Sequence, residues 1–136
     1  LPQYAQKAAR QFQADLLQLM TGGRPEEVHD LAERQRLIKW GGLGHILDEA
    51  RGLAYSEQGE HQRGILCFRR ALEAAPEDAR VRILLNLAHA YLTSEQLDHA
   101  EATYRSVLAS QGDNMMAEEG LAELTARRAS KAREAD

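Results

Sequence analysis

The sequence predicts an all-α protein in which about seven helices form antiparallel hairpins that stack on one another. Ala and Leu are abundant, aromatic residues make up only 5% of the chain, and β-branched residues are scarce, a composition that favours helix over strand. Apolar residues recur at spacings of three and four in most segments, as on one face of a helix. Between His45 and Asn114, residues of matching type recur at an offset of 36 positions, and a period of this size indicates stacked supersecondary units.

Length, composition and charge exclude several classes of protein. The 136 residues fit one domain, and 43% apolar with 28% charged residues is ordinary for a globular protein. The formal charge of −4 and the lack of a dense Lys/Arg block argue against nucleic acid as a partner. No apolar run approaches the roughly 18 residues of a membrane span. The single Cys67 fits a reducing compartment, and we expect a cytoplasmic protein.

Residues 1–41 are predicted to form an N-terminal helical pair. The apolar stripe of the first helix, which Pro2 begins, consists of Tyr4, Ala8, Phe12, Leu16 and Leu19. Gly22 and Gly23 break this helix, and Pro25 begins the second, whose acidic start and basic end suit the helix macrodipole. Trp40 precedes the glycines that end it and is a candidate packing anchor. A degenerate repeat is an alternative interpretation of this segment.

Two hairpins of similar design follow, at residues 45–78 and 81–114. Small residues stand where the paired helices would approach each other, and large aromatic residues stand beside them. The small residues are Gly52, Gly64, Ala88 and Ala100, and the aromatic residues are Tyr55, Phe68, Tyr91 and Tyr104. Residues 115–136 are predicted to form a capping helix with a polar, frayed end. The first half of a third repeat is the alternative interpretation of this last helix.

The spacing of these residues resembles that of a tetratricopeptide repeat, which implies a right-handed superhelix. The positions that carry the resemblance are Gly52, Tyr55, Gly59, Gly64, Phe68, Ala71 and Pro76 in the first hairpin, and Ala88, Tyr91, Ala100 and Tyr104 in the second. The period of 36 exceeds the family period of about 34 residues. The extra two lie before Val81, where we expect Asp78 to cap a helix lengthened by about half a turn. Glu95 replaces the glycine of a tight turn, which puts the geometry of that turn in doubt.

The resemblance also implies a concave surface, lined by the first helix of each repeat, that holds a peptide or a helix of another protein. The matching positions are Glu49, Leu53, Ser56, Arg82, Leu85, Asn86, His89 and Thr93. The Asn86 amide can bond a ligand backbone or a group in its own repeat. Leu53 and Leu85 make the surface partly apolar, which suits a hydrophobic peptide or an amphipathic helix. Glu49 and Leu53 replace the Lys and Asn with which some family members hold carboxylates, so that clamp is not expected.

No catalytic, metal or cofactor site is expected. The five histidines never stand four residues apart, and there is no second cysteine to complete a zinc site. Glu119 and Glu123 share one exposed helix face rather than a cleft, so acid–base chemistry is not indicated. We therefore predict a protein that is not an enzyme and that carries no cofactor.

The leading interpretation is a small adaptor that docks a peptide or helix of a partner protein on its concave surface. A small chaperone that keeps a secreted or aggregation-prone client soluble is one alternative. A non-catalytic fragment of a larger regulator or enzyme is another, because residue 1 is Leu rather than Met. The N-terminal helix is expected to place its apolar stripe against the repeats or against its copy in a homodimer.

Overall fold

A computed structural model describes residues 7, 10–12, 14–15, 18, 22, 25–35 and 44–135. Its helices are α1 (Pro25–Gln35), α2 (Gly44–Glu57), α3 (His61–Ala74), α4 (Glu77–Thr93), α5 (Leu97–Ser110) and α6 (Met115–Ala135). Residues 7, 10–12, 14–15 and 18 are also helical, so the described residues contain seven helical segments and no strand. The predicted all-α fold is confirmed. The predicted packing residues Tyr4, Ala8, Leu16, Leu19 and Trp40 lie outside the described residues.

The helices from α2 onwards form two layers. Each of them packs against the next along the chain, and the connections are two to four residues long, which makes neighbouring helices antiparallel. In addition, α4 contacts both α2 and α6. Therefore α2, α4 and α6 form one layer, and α3 and α5 form the other.

The period of the sequence is also the period of the structure. Helices α3 and α5 begin and end 36 residues apart, and α2 and α4 end at the corresponding residues Glu57 and Thr93. The start of α4 lies three residues before the position that this register requires, so the extra residues of the period lengthen the helix, as predicted. The predicted cap is wrong, however. Pro76 precedes the helix without a side-chain capping bond, and Asp78 lies in its first turn, where a negative charge suits the positive end of the helix.

The turn between α4 and α5 keeps its tight geometry, although Glu95 stands where Gly59 stands in the first hairpin. The φ angles are 64° at Glu95 and 77° at Gly59, both in the left-handed region that favours glycine. The backbone hydrogen bond to the Tyr91 carbonyl (2.8 Å) has its equivalent at the Tyr55 carbonyl (2.9 Å) in the first turn. The substitution of glycine by glutamate therefore leaves the fold of this turn unchanged.

Small residues set the distance between paired helices. A Cβ on Gly52 would lie 2.6 Å from the Phe68 ring, so α2 and α3 can approach this closely only without one. The predicted packing residues that are buried are Gly52, Gly64, Phe68, Ala71, Ala88, Tyr91, Ala100 and Tyr104. Tyr55 is half-buried, and Gly59 and Pro76 are exposed in turns. The residues that carry the repeat resemblance therefore lie at helix contacts or in the connections between helices.

The N-terminal segment packs against the first hairpin at Phe12. This side chain is 7% exposed and forms an apolar cluster with Val28 of α1 and with Ala50 and Ala54 of α2. The expected contact between the first helix and the repeats is therefore present at this residue. The pairing of this helix with its copy in a homodimer stays a prediction.

The last helix is fixed to the second hairpin from its start to Lys131. The Asn114 side chain accepts a hydrogen bond from the Ala117 N–H (2.9 Å) and so caps the start of α6. A set of contacts near its other end, which we call the α6 clasp, joins Arg127 to the Leu92 carbonyl and Glu95, Lys131 to Glu95, and Arg128 to Asp98 and Glu101, at distances of 2.7–3.1 Å. For residues 127–131 the predicted fraying is wrong, because these basic side chains cross to α4, to the turn that follows it and to α5. Beyond Lys131 the fraying stays a prediction.

The left-handed backbone at Glu95 makes a prediction about stability. We expect Glu95→Gly to be more stable than Glu95→Ala by about 1 kcal/mol, since both variants lose the carboxylate but only alanine keeps a Cβ in this conformation. Gly59→Ala, the matched change in the first turn, should destabilise the protein by a similar amount. Unfolding in urea measures these differences, and equal stability of the two Glu95 variants would contradict the prediction.

The α6 clasp should also weaken in acid. Hydrogen bonding by Lys131 lowers the pKa of Glu95, and hydrogen bonds from Arg128 and Arg105 lower the pKa of Glu101. Because these pKa values are lowered by folding, the stability that the two carboxylates contribute is present above their ordinary pKa of 4.5 and is lost as the pH falls through the folded-state values.

We therefore expect Glu95→Gln/Glu101→Gln to lose less stability than the parent between about pH 5 and about pH 3 in urea unfolding. The control is Glu57→Gln/Glu134→Gln, which changes two exposed carboxylates outside the clasp. This control should follow the parent at every pH. Parallel curves for the parent and the clasp variant would show that the two carboxylates contribute nothing.

Candidate binding groove

An open groove of about 340 Å³ lies between α4 and α6. Leu85, Asn86 and His89 of α4 line one wall, Met116, Glu119, Gly120 and Glu123 of α6 line the other, and Tyr104 of α5 lies at the floor. The two walls belong to the same layer, whereas the floor belongs to the layer beneath. The groove is therefore a gap between two helices of one layer, and α5 of the other layer closes it from below.

The α4 wall combines an apolar base with an open amide. Its three residues share one helix face because they are spaced three and four positions apart. Leu85 packs partly against the main core. The Asn86 side chain makes no hydrogen bond with another described residue, so its donors and its acceptor are open to a ligand. His89 is exposed at the rim.

Tyr104 reaches the floor because Gly120 has no side chain. A Cβ on Gly120 would collide with the Tyr104 ring, so the glycine lets α6 approach α5 closely. Tyr104 is 4% exposed, and this burial raises the pKa of its phenol, with the negative charge of Glu123 raising it further. The hydroxyl therefore stays protonated at neutral pH and can donate a hydrogen bond.

The α6 wall is apolar at one end and acidic at the other. Met116 is 64% exposed, and its flexible thioether side chain can adapt to an apolar ligand. Glu123 pairs with Arg127 at 3.0 Å. Glu119 forms no ion pair within the part of the chain that the structure describes. The wall therefore carries one carboxylate without a counter-ion.

Two of the predicted surface residues, Glu49 and Arg82, bind each other instead. The Arg82 guanidinium donates to both carboxylate oxygens of Glu49, at 2.6 and 2.8 Å, and these hydrogen bonds raise the pKa of Arg82. The Glu49 side chain is only 10% exposed, whereas that of Arg82 is 59% exposed. The pair bridges α2 and α4, so the Glu49 carboxylate is occupied before any ligand arrives.

Three further predicted residues do not line the groove. Leu53 packs against the main core. The Ser56 hydroxyl is buried beside Gly64 of α3, where a ligand on the surface cannot reach it. The Thr93 hydroxyl donates to the carbonyl of His89 in its own helix (2.6 Å). Of the eight predicted positions, only Leu85, Asn86 and His89 come together in the groove.

The residues of the α6 wall were missed by sequence reasoning. The spacing of Glu119 and Glu123 predicts an exposed helix face and gives no sign of the groove beside it. One signal could have found this wall. Gly120 interrupts a helix that is otherwise rich in good helix formers, as Gly52 does in α2, and both glycines lie against an aromatic ring.

Other kinds of site have little support in the described residues. No group of three or more His, Cys, Asp or Glu among them is placed to hold a metal ion. Cys67 is buried, and desolvation raises the pKa of its thiol, which keeps it in the less reactive protonated form. No helix in the same part of the chain is long and apolar enough to cross a membrane.

Comparison with known proteins identifies a family. The sequence profile of the tetratricopeptide repeat family matches residues 55–124, which are 70 of the 136 residues. The match begins within α2, ends within α6 and includes every residue that lines the groove. No curated protein matches the chain.

The bridge between α2 and α4 makes a prediction about stability. We expect Arg82→Met to destabilise the protein by about 1–3 kcal/mol, because it leaves the buried Glu49 carboxylate without its partner. The double variant Glu49→Met/Arg82→Met should recover most of this loss, since two apolar side chains of similar size need no counter-charge. Urea unfolding provides the measurement. A double variant as unstable as the single one would show that the unpaired carboxylate is not the cause.

Proposed function

The chain belongs to the tetratricopeptide repeat family, and we propose that it receives a peptide or an amphipathic helix of a partner protein in the groove between α4 and α6. Repeats of this family are in general protein-interaction modules and are typically not catalytic. The proposal adds the place of binding and the form of the bound segment. It is supported by the chemistry of the groove and by its size.

The observation that carries the proposal is the open amide of Asn86 beside an apolar wall. Half-buried polar side chains generally find a hydrogen-bond partner, and this one has none among the described residues. A polypeptide backbone offers an N–H and a C=O group together, which an amide can bond at the same time. Leu85 beside it and Met116 opposite supply apolar surface for a side chain of the same segment.

The size of the groove favours a short segment over a folded domain. Its volume of about 340 Å³ lies near the lower end of the usual range of ligand pockets, which is roughly 300–1,000 Å³. Such a space takes one or two side chains. The remainder of a helix or an extended peptide would lie along α4 and α6, as in the helix-in-groove mode of recognition.

We propose binding rather than catalysis because the groove lacks a positioned reactive group. Among its lining residues, His89 is exposed and is not oriented by a hydrogen bond to another described residue. Acid–base catalysis needs groups held in place near the reacting atoms. Glu119 and Glu123 would also repel the phosphates of a nucleic acid, so a protein is the better partner for this surface.

A chaperone for an aggregation-prone client is the second candidate, favoured by the exposed methionines. Met115 is 70% exposed and Met116 is 64% exposed at the start of α6. Flexible thioether side chains suit a surface that must accept varied apolar segments. A chaperone raises the soluble fraction of its client on co-expression, whereas an adaptor leaves that fraction unchanged. Centrifugation of lysates with and without the protein separates the two functions.

Substitutions in the groove test the proposed function. Peptides selected on the parent from a random library should lose binding to Leu85→Glu by at least about tenfold, because the new carboxylate displaces an apolar contact. Asn86→Ala should lose about three- to tenfold, the value of one or two hydrogen bonds. Fluorescence anisotropy with labelled peptides measures both effects.

The matched control is Leu66→Glu, the same change at a side chain of α3 that is 60% exposed and lies outside the groove. It should bind the selected peptides like the parent. Circular dichroism melts show whether each variant is folded. If Leu85→Glu does not fold, Asn86→Ala alone tests the groove. Equal affinity of the parent and Asn86→Ala for every selected peptide would place the binding site elsewhere.

A further inference from the structure

We infer that the groove selects a partner segment in which a Lys or Arg side chain stands beside a large apolar one. This inference rests on the proposed function and adds the chemistry of the segment. It follows from the distribution of charge around the groove, from the hydrogen-bonding groups inside it and from the position of its apolar side chains.

The charged residues that line the groove are both acidic. Glu119 and Glu123 stand one helical turn apart on the α6 wall, and no Lys or Arg lines the space. One carboxylate oxygen of Glu123 accepts a hydrogen bond from Arg127, whereas Glu119 has no ion pair within the described residues. A basic side chain entering the groove would therefore meet a free carboxylate.

The basic residues nearest the groove are already engaged and do not cancel this charge. Arg82 lies one turn before Leu85 and Asn86 on the same face of α4, and its charge is balanced there because both oxygens of Glu49 accept from it. Arg127 is shared between the Leu92 carbonyl, Glu95 and Glu123. The acidic character of the groove therefore remains, because the carboxylate of Glu119 has no partner among the described residues.

The neutral groups of the groove complement a basic side chain as well. An ammonium or guanidinium group has donors only, and it needs several acceptors when it leaves water. The Asn86 carbonyl oxygen and the Tyr104 hydroxyl oxygen supply acceptors beside the Glu119 carboxylate. An acidic side chain in the same place would face two like charges, so the groove discriminates by repulsion as well as by attraction.

The apolar part of the segment is fixed by Leu85 and Met116. Leu85 belongs to the α4 wall and Met116 to the first turns of α6, so an apolar side chain between them contacts both walls. Glu119 follows Met116 by three positions on the same helix face. The segment therefore presents its basic and apolar side chains as neighbours on one face.

Three labelled peptides of about 12 residues test this inference. They share one amphipathic sequence with Leu at helical spacing and differ only at one central position next to a Leu, which is Lys, norleucine or Glu. In fluorescence anisotropy we expect the Lys peptide to bind the parent about three- to tenfold more tightly than the norleucine peptide, and the Glu peptide to bind most weakly. The preference should shrink when the salt is raised from about 0.05 to about 0.5 M.

Charge reversal on the α6 wall gives the sharper test. Glu119→Lys should reverse the order, so that the Glu peptide binds more tightly than the Lys peptide. The matched control is Glu118→Lys, the same change at the adjacent exposed residue, which does not line the groove. This control should keep the order of the parent. An unchanged order in Glu119→Lys would overturn the inference.

The experiment separates failure of the inference from failure of the proposed function. Equal affinity for the three peptides, with binding lost in Leu85→Glu, would overturn the preference for a basic side chain and keep the groove as the binding site. Binding that survives in Leu85→Glu and Asn86→Ala would overturn both. The absence of binding by all three peptides would also count against both.

Discussion

Close packing of helices at small residues is the constraint on which the rest of the structure depends. Gly52 admits the Phe68 ring between α2 and α3, and Gly120 admits the Tyr104 ring between α6 and α5. In both places an aromatic ring occupies the volume that a Cβ would need, so side-chain size fixes the spacing between the two layers. The groove follows from the second of these contacts, because the ring under Gly120 forms its floor. A change in this contact would therefore alter the fold and the candidate site together.

Ion pairs also distinguish the contact between α2 and α4 from the contact between α4 and α6. The Glu49–Arg82 pair bridges α2 and α4, while the α6 clasp holds the second half of α6 to Leu92 of α4, to the turn that follows α4 and to α5. Between α4 and α6 the described residues form no ion pair, although Arg127 donates to the Leu92 carbonyl, and Glu119 has no counter-ion among them. A pair of charges joins α2 to α4, whereas the carboxylate of Glu119 beside the groove has no partner among the described residues.

The fold could be predicted from the sequence because the residue patterns that specify it are local and periodic. Helical spacing identifies the buried faces, and the offset of 36 residues identifies the two hairpins before any coordinate is known. The turn at Glu95 could not be predicted in the same way. Glycine is the usual residue in a left-handed position, and the ion pairs of the Glu95 side chain come from a helix some thirty residues further on.

The candidate site could be predicted only in part. The register assigned Leu85, Asn86 and His89 correctly to one face of α4, since side chains three and four apart share a face. Whether such a face is free depends on the neighbouring helix. Glu49 and Arg82 are 33 positions apart in the sequence. They meet because the packing of α2 against α4 sets how each helix is rotated about its axis. The acidic wall of α6 could not be told from an ordinary solvated surface, because the sequence does not show which helix lies beside it.

The attachment of α6 at both ends has a consequence for the thermodynamics of association. Asn114 caps its start, and Arg127 and Arg128 hold its second half, so one wall of the groove is ordered before a ligand arrives. Ordering a flexible segment on binding costs conformational entropy. Because this wall is already ordered, only the ligand loses conformational entropy when it binds there. A segment that is already helical when free would consequently bind with a smaller entropic penalty than a disordered one of the same composition.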